Sequence, residues 1–180
     1  LQLLAPFNEW DGKDFVDQVV ILKAKGKLTT DHISPAGPWL KYRGHLDKIS
    51  DNFCLGATNV FSEKVGHGIN VFTGEEATLA TIARDYKARG QGWVMIGDEN
   101  YGEGSSREHA ALSPRFLGIS AAIARSFARI AETNLKKQGV LPLTFVNSSD
   151  YEKITDLKDR VSIHGLDTLA PGSTVKATIT

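Results

Sequence analysis

The chain has 180 residues, long enough for one well-buried core. Its 21 basic and 21 acidic residues balance to a formal charge of zero, which argues against the basic footprint of a nucleic-acid-binding protein, and no apolar run approaches the length needed to cross a bilayer. Cys54 is the only cysteine, so an internal disulfide is excluded and the several thiolates that usually hold an iron–sulfur cluster are missing.

Residues 1–13 carry Pro6, Trp10 and Gly12 without a period and are expected to lie on the surface. Leu1 is preceded by no methionine and begins no signal or transit pattern, so a piece of a longer polypeptide is expected. Gln18 to Lys25 is rich in Val and Ile and short, which predicts a strand. Pro35 and Pro38 withhold two backbone donors, so the stretch after Asp31 and His32 cannot be regular helix or central strand. Both residues are therefore expected on an ordered loop at a strand end, where functional groups tend to be presented. Arg43, between Tyr42 and Gly44, is by default a surface ion pair worth under about 1 kcal/mol. Its aromatic and glycine neighbours also suit a planar group held in place.

Residues 53–74 show no period. Cys54, beside Phe53 and Leu55, reads as a small core residue, and His67, between Gly66 and Gly68, as a solvated loop residue. Thr73-Gly74-Glu75-Glu76 has a capping-box pattern. Leu79, Ile82, Ala83 and Tyr86 then fall on one helix face, with Gly90 as its stop.

Trp93-Val94-Met95-Ile96 predicts a buried strand. Gly97, Gly102 and Gly104 follow within eight residues, so this backbone needs positive φ or a close approach. Ser105 is expected to open a helix, with Glu108 completing a capping box. Strand, glycine-rich turn and helix start form an anion-binding geometry. Ser105 and Ser106 bring hydroxyls to it, and Arg107 a forked cation. No Gly-Lys-Ser/Thr ending and no Gly-x-Gly-x-x-Gly is present, so the two common nucleotide fingerprints do not apply. Most such junctions are turns and caps without chemistry, and the local pattern alone does not decide.

Pro114 and Gly118 are expected to close that short helix, ahead of a strand over Ile119 to Ala124. Ser126 to Ile130 begins another helix, ended by Gly139. Val140 to Val146 predicts a third apolar strand, with Pro142 at an edge or bulge. Arg125 and Arg129 either face an anion or are ordinary helix-surface charge. A polar connection over Asp150 to Asp159 leads to short strands at Arg160 to His164 and Thr174 to Ile179, with His164 an exposed strand end. Strands separated by helices, with further strands at both ends, predict an α/β fold on a mixed sheet.

Gly97 to Leu112, with its Tyr101-Gly102-Glu103-Gly104-Ser105-Ser106-Arg107-Glu108-His109-Ala110 run, resembles the signature of the C-terminal swivel domain of mitochondrial-type aconitases. Thr29-Thr30-Asp31-His32-Ile33-Ser34-Pro35-Ala36-Gly37, Lys41-Tyr42-Arg43-Gly44-His45-Leu46 and the two segments Ser126 to Ile130 and Glu132 to Gly139 resemble the same family in the same order. Residues 53–73 match none of its motifs. The resemblance implies a compact swivelling β/β/α domain over residues 1–180, docked across a cleft on a larger body. It implies a hydro-lyase that isomerises citrate to isocitrate through cis-aconitate in the mitochondrial matrix, as part of the tricarboxylic acid cycle. By motif position Ser105 is the catalytic base, with Arg43, Ser106 and Arg107 binding substrate and Asp31 and His32 as supporting candidates. The [4Fe–4S] cluster is implied to be bound by N-terminal domains outside this segment, with no metal ligand here, so the isolated 180 residues are expected to be inactive. A homoaconitase and a free-standing small subunit of an isopropylmalate isomerase remain open. So does a non-catalytic module repurposed to bind RNA or protein, although neutral charge and the intact Ser-Ser-Arg argue against it.

Overall fold

The computed structural model describes all 180 residues. Residues 1–13 form no regular element and lie mostly exposed, as expected. The first strand, β1, spans Phe15–Lys23. It is followed by two four-residue helices, α1 over Thr30–Ile33 and α2 over Leu46–Ile49. Strands β2 (His67–Ile69) and β3 (Glu76–Thr78) pair as a small antiparallel ribbon. Helix α3 (Leu79–Ala88) precedes β4 (Trp93–Gly97), α4 (His109–Leu117), β5 (Ile119–Ala124), α5 (Arg129–Lys137) and β6 (Leu141–Thr144). Strands β7 (Arg160–His164) and β8 (Lys176–Ile179) close the chain.

The main sheet has the order β6-β5-β4-β1-β7-β8. Strands β1, β4, β5 and β6 pair in parallel, whereas β7 pairs antiparallel with β1 and β8 antiparallel with β7. The sheet is thus mixed, in line with the α/β expectation. Every residue of β4 is buried, as befits a central parallel strand covered on both faces. Alternation sorts its side chains. Trp93 and Met95 join Ala122 and Ala124 of β5 in the larger core under the helices. Val94 and Ile96 join Ala121, Ile123, Tyr151 and Ile154 in a second core on the other face. Trp93 also packs on Phe53 at 5.6 Å and donates to Leu117 O at 3.2 Å, tying β4 to the end of α4.

The helix face Leu79, Ile82, Ala83 and Tyr86 is buried as predicted, and Gly90 stops α3 with φ +70°. Its start differs. Thr78 is the N-cap, and Glu76 belongs to β3, so the Thr73 capping pattern is not used. The β2–β3 ribbon takes residues 76–78 into extended backbone, and the helix begins one turn later. His67 lies on β2 and not on a free loop, with its Nδ1 2.8 Å from Val65 O. Pro114 sits inside α4 rather than ending it, and Gly118, at φ +102°, is the stop. Pro142 lies on β6, the edge strand, where a missing donor costs little. His164 is half-buried rather than exposed, held 3.0 Å from Thr178 Oγ1.

Candidate active site

The site is carried by the connection from β4 to α4. Its first half is stitched to neighbouring strand ends. Gly97 must be glycine, because a Cβ there would meet the Tyr101 ring at 2.8 Å. The Asp98 carboxylate accepts from Gly26 N at 2.8 Å and from Arg125 Nη1 at 2.9 Å. Asn100 N and Tyr101 N donate to the Ser126 hydroxyl and carbonyl, at 2.8 and 3.0 Å. Gly102 N donates to Leu28 O at 2.7 Å, and Glu103 O accepts from Thr30 N at 2.9 Å. Residues following β1, β4 and β5 are thereby fastened to one another at their carboxyl ends.

Beyond Gly104 the fastening stops. The N–H groups of Ser105, Ser106, Arg107, Glu108 and His109 find no acceptor in the chain, and Ser105 and Ser106 are exposed. Helix α4 begins at His109, with Glu108 as N-cap and no side-chain cap. The expected capping box from Ser105 to Glu108 is therefore absent. Glu103 is pinned to Thr30 and Gly104 has φ +117°, so the backbone leaves the strand ends in a non-helical course and turns only four residues later. What the loop presents instead is a run of open donors beside two exposed hydroxyls.

Arg107 lies against α1. Its Nη1 donates to the Asp31 carboxylate and, at 3.1 Å, to Ser34 O. Both bonds use Nη1, so the Nε/Nη2 edge remains without a protein acceptor. That edge presents two parallel N–H donors, a geometry matched to a carboxylate. Asp31 orients the guanidinium and is itself 68% exposed. Asp31 and His32 stand on the helix α1 rather than on the expected loop, because Thr29 caps it and Ser34 ends it before the prolines. His32 is turned inward, with Nδ1 accepting from Thr29 N at 3.1 Å in a capping box.

Arg43 ends the short 3-10 turn Gly37–Tyr42 and is exposed. It lines a cleft of about 200 Å³ together with Ser34, Ser106, Arg107, Glu108 and His109. The structure thus brings Arg43, Ser106 and Arg107 to one cleft. Ser105 lines an adjoining depression of about 290 Å³, which Ser106 and Arg107 also line, over Ile33, Ala111 and Leu135. His32 lines neither depression. Arg125 is consumed by Asp98, by Glu152 at 2.8 Å and by the Tyr151 ring at 4.3 Å. Arg129 lines the larger depression and is exposed. The anchoring role of Asp98 and Ser126 was not foreseen from the sequence, because Asp98 finds its partners 27 and 72 residues away.

A [4Fe–4S] cluster does not fit this chain's residues. Cys54 is fully buried, and desolvation pushes its thiol well above the usual range. No group of three or more His, Cys, Asp or Glu side chains is arranged to hold a metal.

The family model described as the aconitase C-terminal domain matches residues 18–148. The chain belongs to that family. It is 64% identical over 172 residues to the probable mitochondrial aconitate hydratase of Dictyostelium discoideum, covering 96% of this chain and 22% of that protein. It is 61% identical over all 180 residues to the mitochondrial aconitate hydratase of Gracilaria gracilis, covering 23% of it. The Saccharomyces cerevisiae mitochondrial enzyme is 61% identical, with 97% of this chain and 22% of the relative covered. The chain therefore spans under a quarter of the length of these relatives. Among solved structures, a 3-isopropylmalate dehydratase from Methanocaldococcus jannaschii superposes with a TM-score of 0.56 at 26% identity, over 93% of this chain and 83% of that one.

Proposed function

We propose that this chain is the C-terminal swivel domain of an aconitate hydratase, a single domain of a longer mitochondrial-matrix protein. The observation that carries the reading is the meeting of Arg43, Ser106 and Arg107 in one cleft, on a chain about 60% identical to aconitate hydratases along nearly its whole length. The substrate is a tricarboxylate, either citrate, isocitrate or the cis-aconitate between them. Arg43 and the free edge of Arg107 grip carboxylates as bidentate forks, and Ser106 donates from the loop between them.

Ser105 is the base that takes a proton from carbon. A serine alkoxide is scarce near neutral pH, and donors to the charged form are what make it accessible. The unpaired N–H groups of 105–109 supply such donors, and they strengthen when docking of the rest of the protein excludes water. The family resemblance implies a [4Fe–4S] cluster, and its ligands are assigned to the preceding domains, which are also the partner of this surface. An isopropylmalate isomerase subunit is the second reading, favoured by the 0.56 superposition. Assaying the full-length protein with citrate, isocitrate and isopropylmalate separates the two. Turnover of isopropylmalate alone overturns the first reading.

A further inference from the structure

Arg43 has little to hold its side chain in place. It is exposed, ends a short 3-10 turn, and enters none of the chain's ion pairs. Its direction is inherited from its backbone, and two adjacent carbonyls fasten that backbone. Gly44 O accepts from Gln2 N at 2.8 Å. Arg43 O lies 3.2 Å from His109 Nε2. A carbonyl only accepts, so Nε2 carries the proton, either in the neutral Nε2–H tautomer or in the imidazolium. His109 is the first residue of α4 and stands two positions after Arg107. The bond therefore joins the loop that carries Ser105, Ser106 and Arg107 to the turn that carries Arg43, across 66 residues of sequence.

We propose that His109 is a positioning residue for Arg43, setting the distance between the two guanidinium forks across the cleft and so the spacing of the carboxylates the cleft accepts. The inference rests on the reading of Arg43 as a carboxylate ligand. His109 touches no reacting atom in this role and acts only through the Arg43 backbone. A side chain with an N–H at the same reach can replace it, and one without cannot. Glutamine places its Nε2 close to where histidine places its own, whereas asparagine falls short and leucine has no donor.

The test is steady-state kinetics of the full-length, cofactor-loaded enzyme. His109→Leu raises KM for the tricarboxylate about fivefold, the factor carried by one neutral hydrogen bond of ordinary strength, while kcat changes much less. His109→Gln restores KM to near the parent value. In an Arg43→Ala background the His109→Leu change has no further effect on KM. An unchanged KM in His109→Leu, no recovery with Gln, or an undiminished effect in the Arg43→Ala background overturns the proposal. If the leucine variant does not accumulate folded, His109→Asn carries the same expectations. Hydrogen exchange separates this failure from failure of the parent reading. Faster exchange of the amides around Arg43 to Asp47 in His109→Leu, with normal kinetics for Arg43→Ala, leaves the clamp standing and removes the carboxylate role of Arg43.

Discussion

At the scale of single residues, the proposed roles of Ser105 as base and Arg43 as carboxylate ligand each differ from their bland alternatives in a measurable way. The Ser105 hydroxyl caps no helix, since α4 begins at His109 without a side-chain cap. Ser105→Ala is therefore expected to leave the melting temperature almost unmoved, with none of the roughly 1 kcal/mol that loss of an N-cap costs. Its kcat in the full-length enzyme is expected to fall about a hundredfold or more with modest change in KM, as for loss of a general base. A kcat near the parent value would remove the assignment and make Ser106 the next residue to test. For Arg43, replacement by lysine keeps the charge but removes the planar fork. Arg43→Lys is expected to lower kcat/KM by an amount equivalent to about 2 kcal/mol, the scale of a hydrogen bond to a charged group. Kinetics indistinguishable from the parent would return Arg43 to the status of a surface cation.

Between elements, the active loop is only as well placed as the strand ends that hold it. Asp98 and Arg125 are 13% and 21% exposed and join the turn after β1, the end of β4 and the end of β5. Asp98→Ala removes the acceptor of Gly26 N and one of the two carboxylates on Arg125, Glu152 remaining, so it is expected to destabilise the domain by about 2 kcal/mol. Urea denaturation measures it, and a loss below about 1 kcal/mol would show that the pair is dispensable. Gly102 is the second anchor. It has φ +78°, and a Cβ there would stand 2.2 Å from Ala131 Cβ on α5. Gly102→Ala is expected to cost about 3 kcal/mol, from left-handed strain and overpacking together. Gly90→Ala is the matched control: φ is +70° but nothing lies within 4 Å, so only the strain of about 1 kcal/mol applies. Equal losses at the two glycines would show that contact with α5 does not hold the loop.

At the scale of the whole molecule, the proposal gives this domain only part of an active site. Its cleft offers two arginines and a hydroxyl, and its one thiol is sealed behind the core. Reconstitution of the isolated 180 residues with iron and sulfide is expected to give neither the visible absorbance of a stable [4Fe–4S] centre nor turnover of citrate. Specific uptake with turnover would overturn the division of labour proposed above. The open donors of residues 105–109 lie on the surface of the isolated domain. Their full electrostatic strength appears only where water is excluded, which in the proposed function is supplied by the body on which this domain closes.

The sequence by itself determined the parts whose physics is local. Apolar runs read β4 and β5 to within a residue, because strands covered on both faces are near-continuously apolar, Ser120 of β5 being the exception. The face of α3, its glycine stop and the fate of Cys54 were legible for the same reason. The family motifs named Arg43, Ser105, Ser106 and Arg107, but the pattern Ser105 to Glu108 also pointed to a cap that does not form. Only the tertiary structure decided where α4 begins, because its start depends on the hydrogen bonds that the loop up to Glu103 makes to the Leu28 and Ser126 oxygens and accepts from Thr30 N. It also decided that Asp31 supports Arg107 whereas His32 caps its own helix, and that Arg125 is spent on Asp98 whereas Arg43 stays free at the cleft. Apart from the local His32–Thr29 cap, these outcomes are choices among polar partners far apart in the chain. Local spacing carries no information about such choices, because a guanidinium or a hydroxyl binds whichever acceptor the fold brings within about 3 Å.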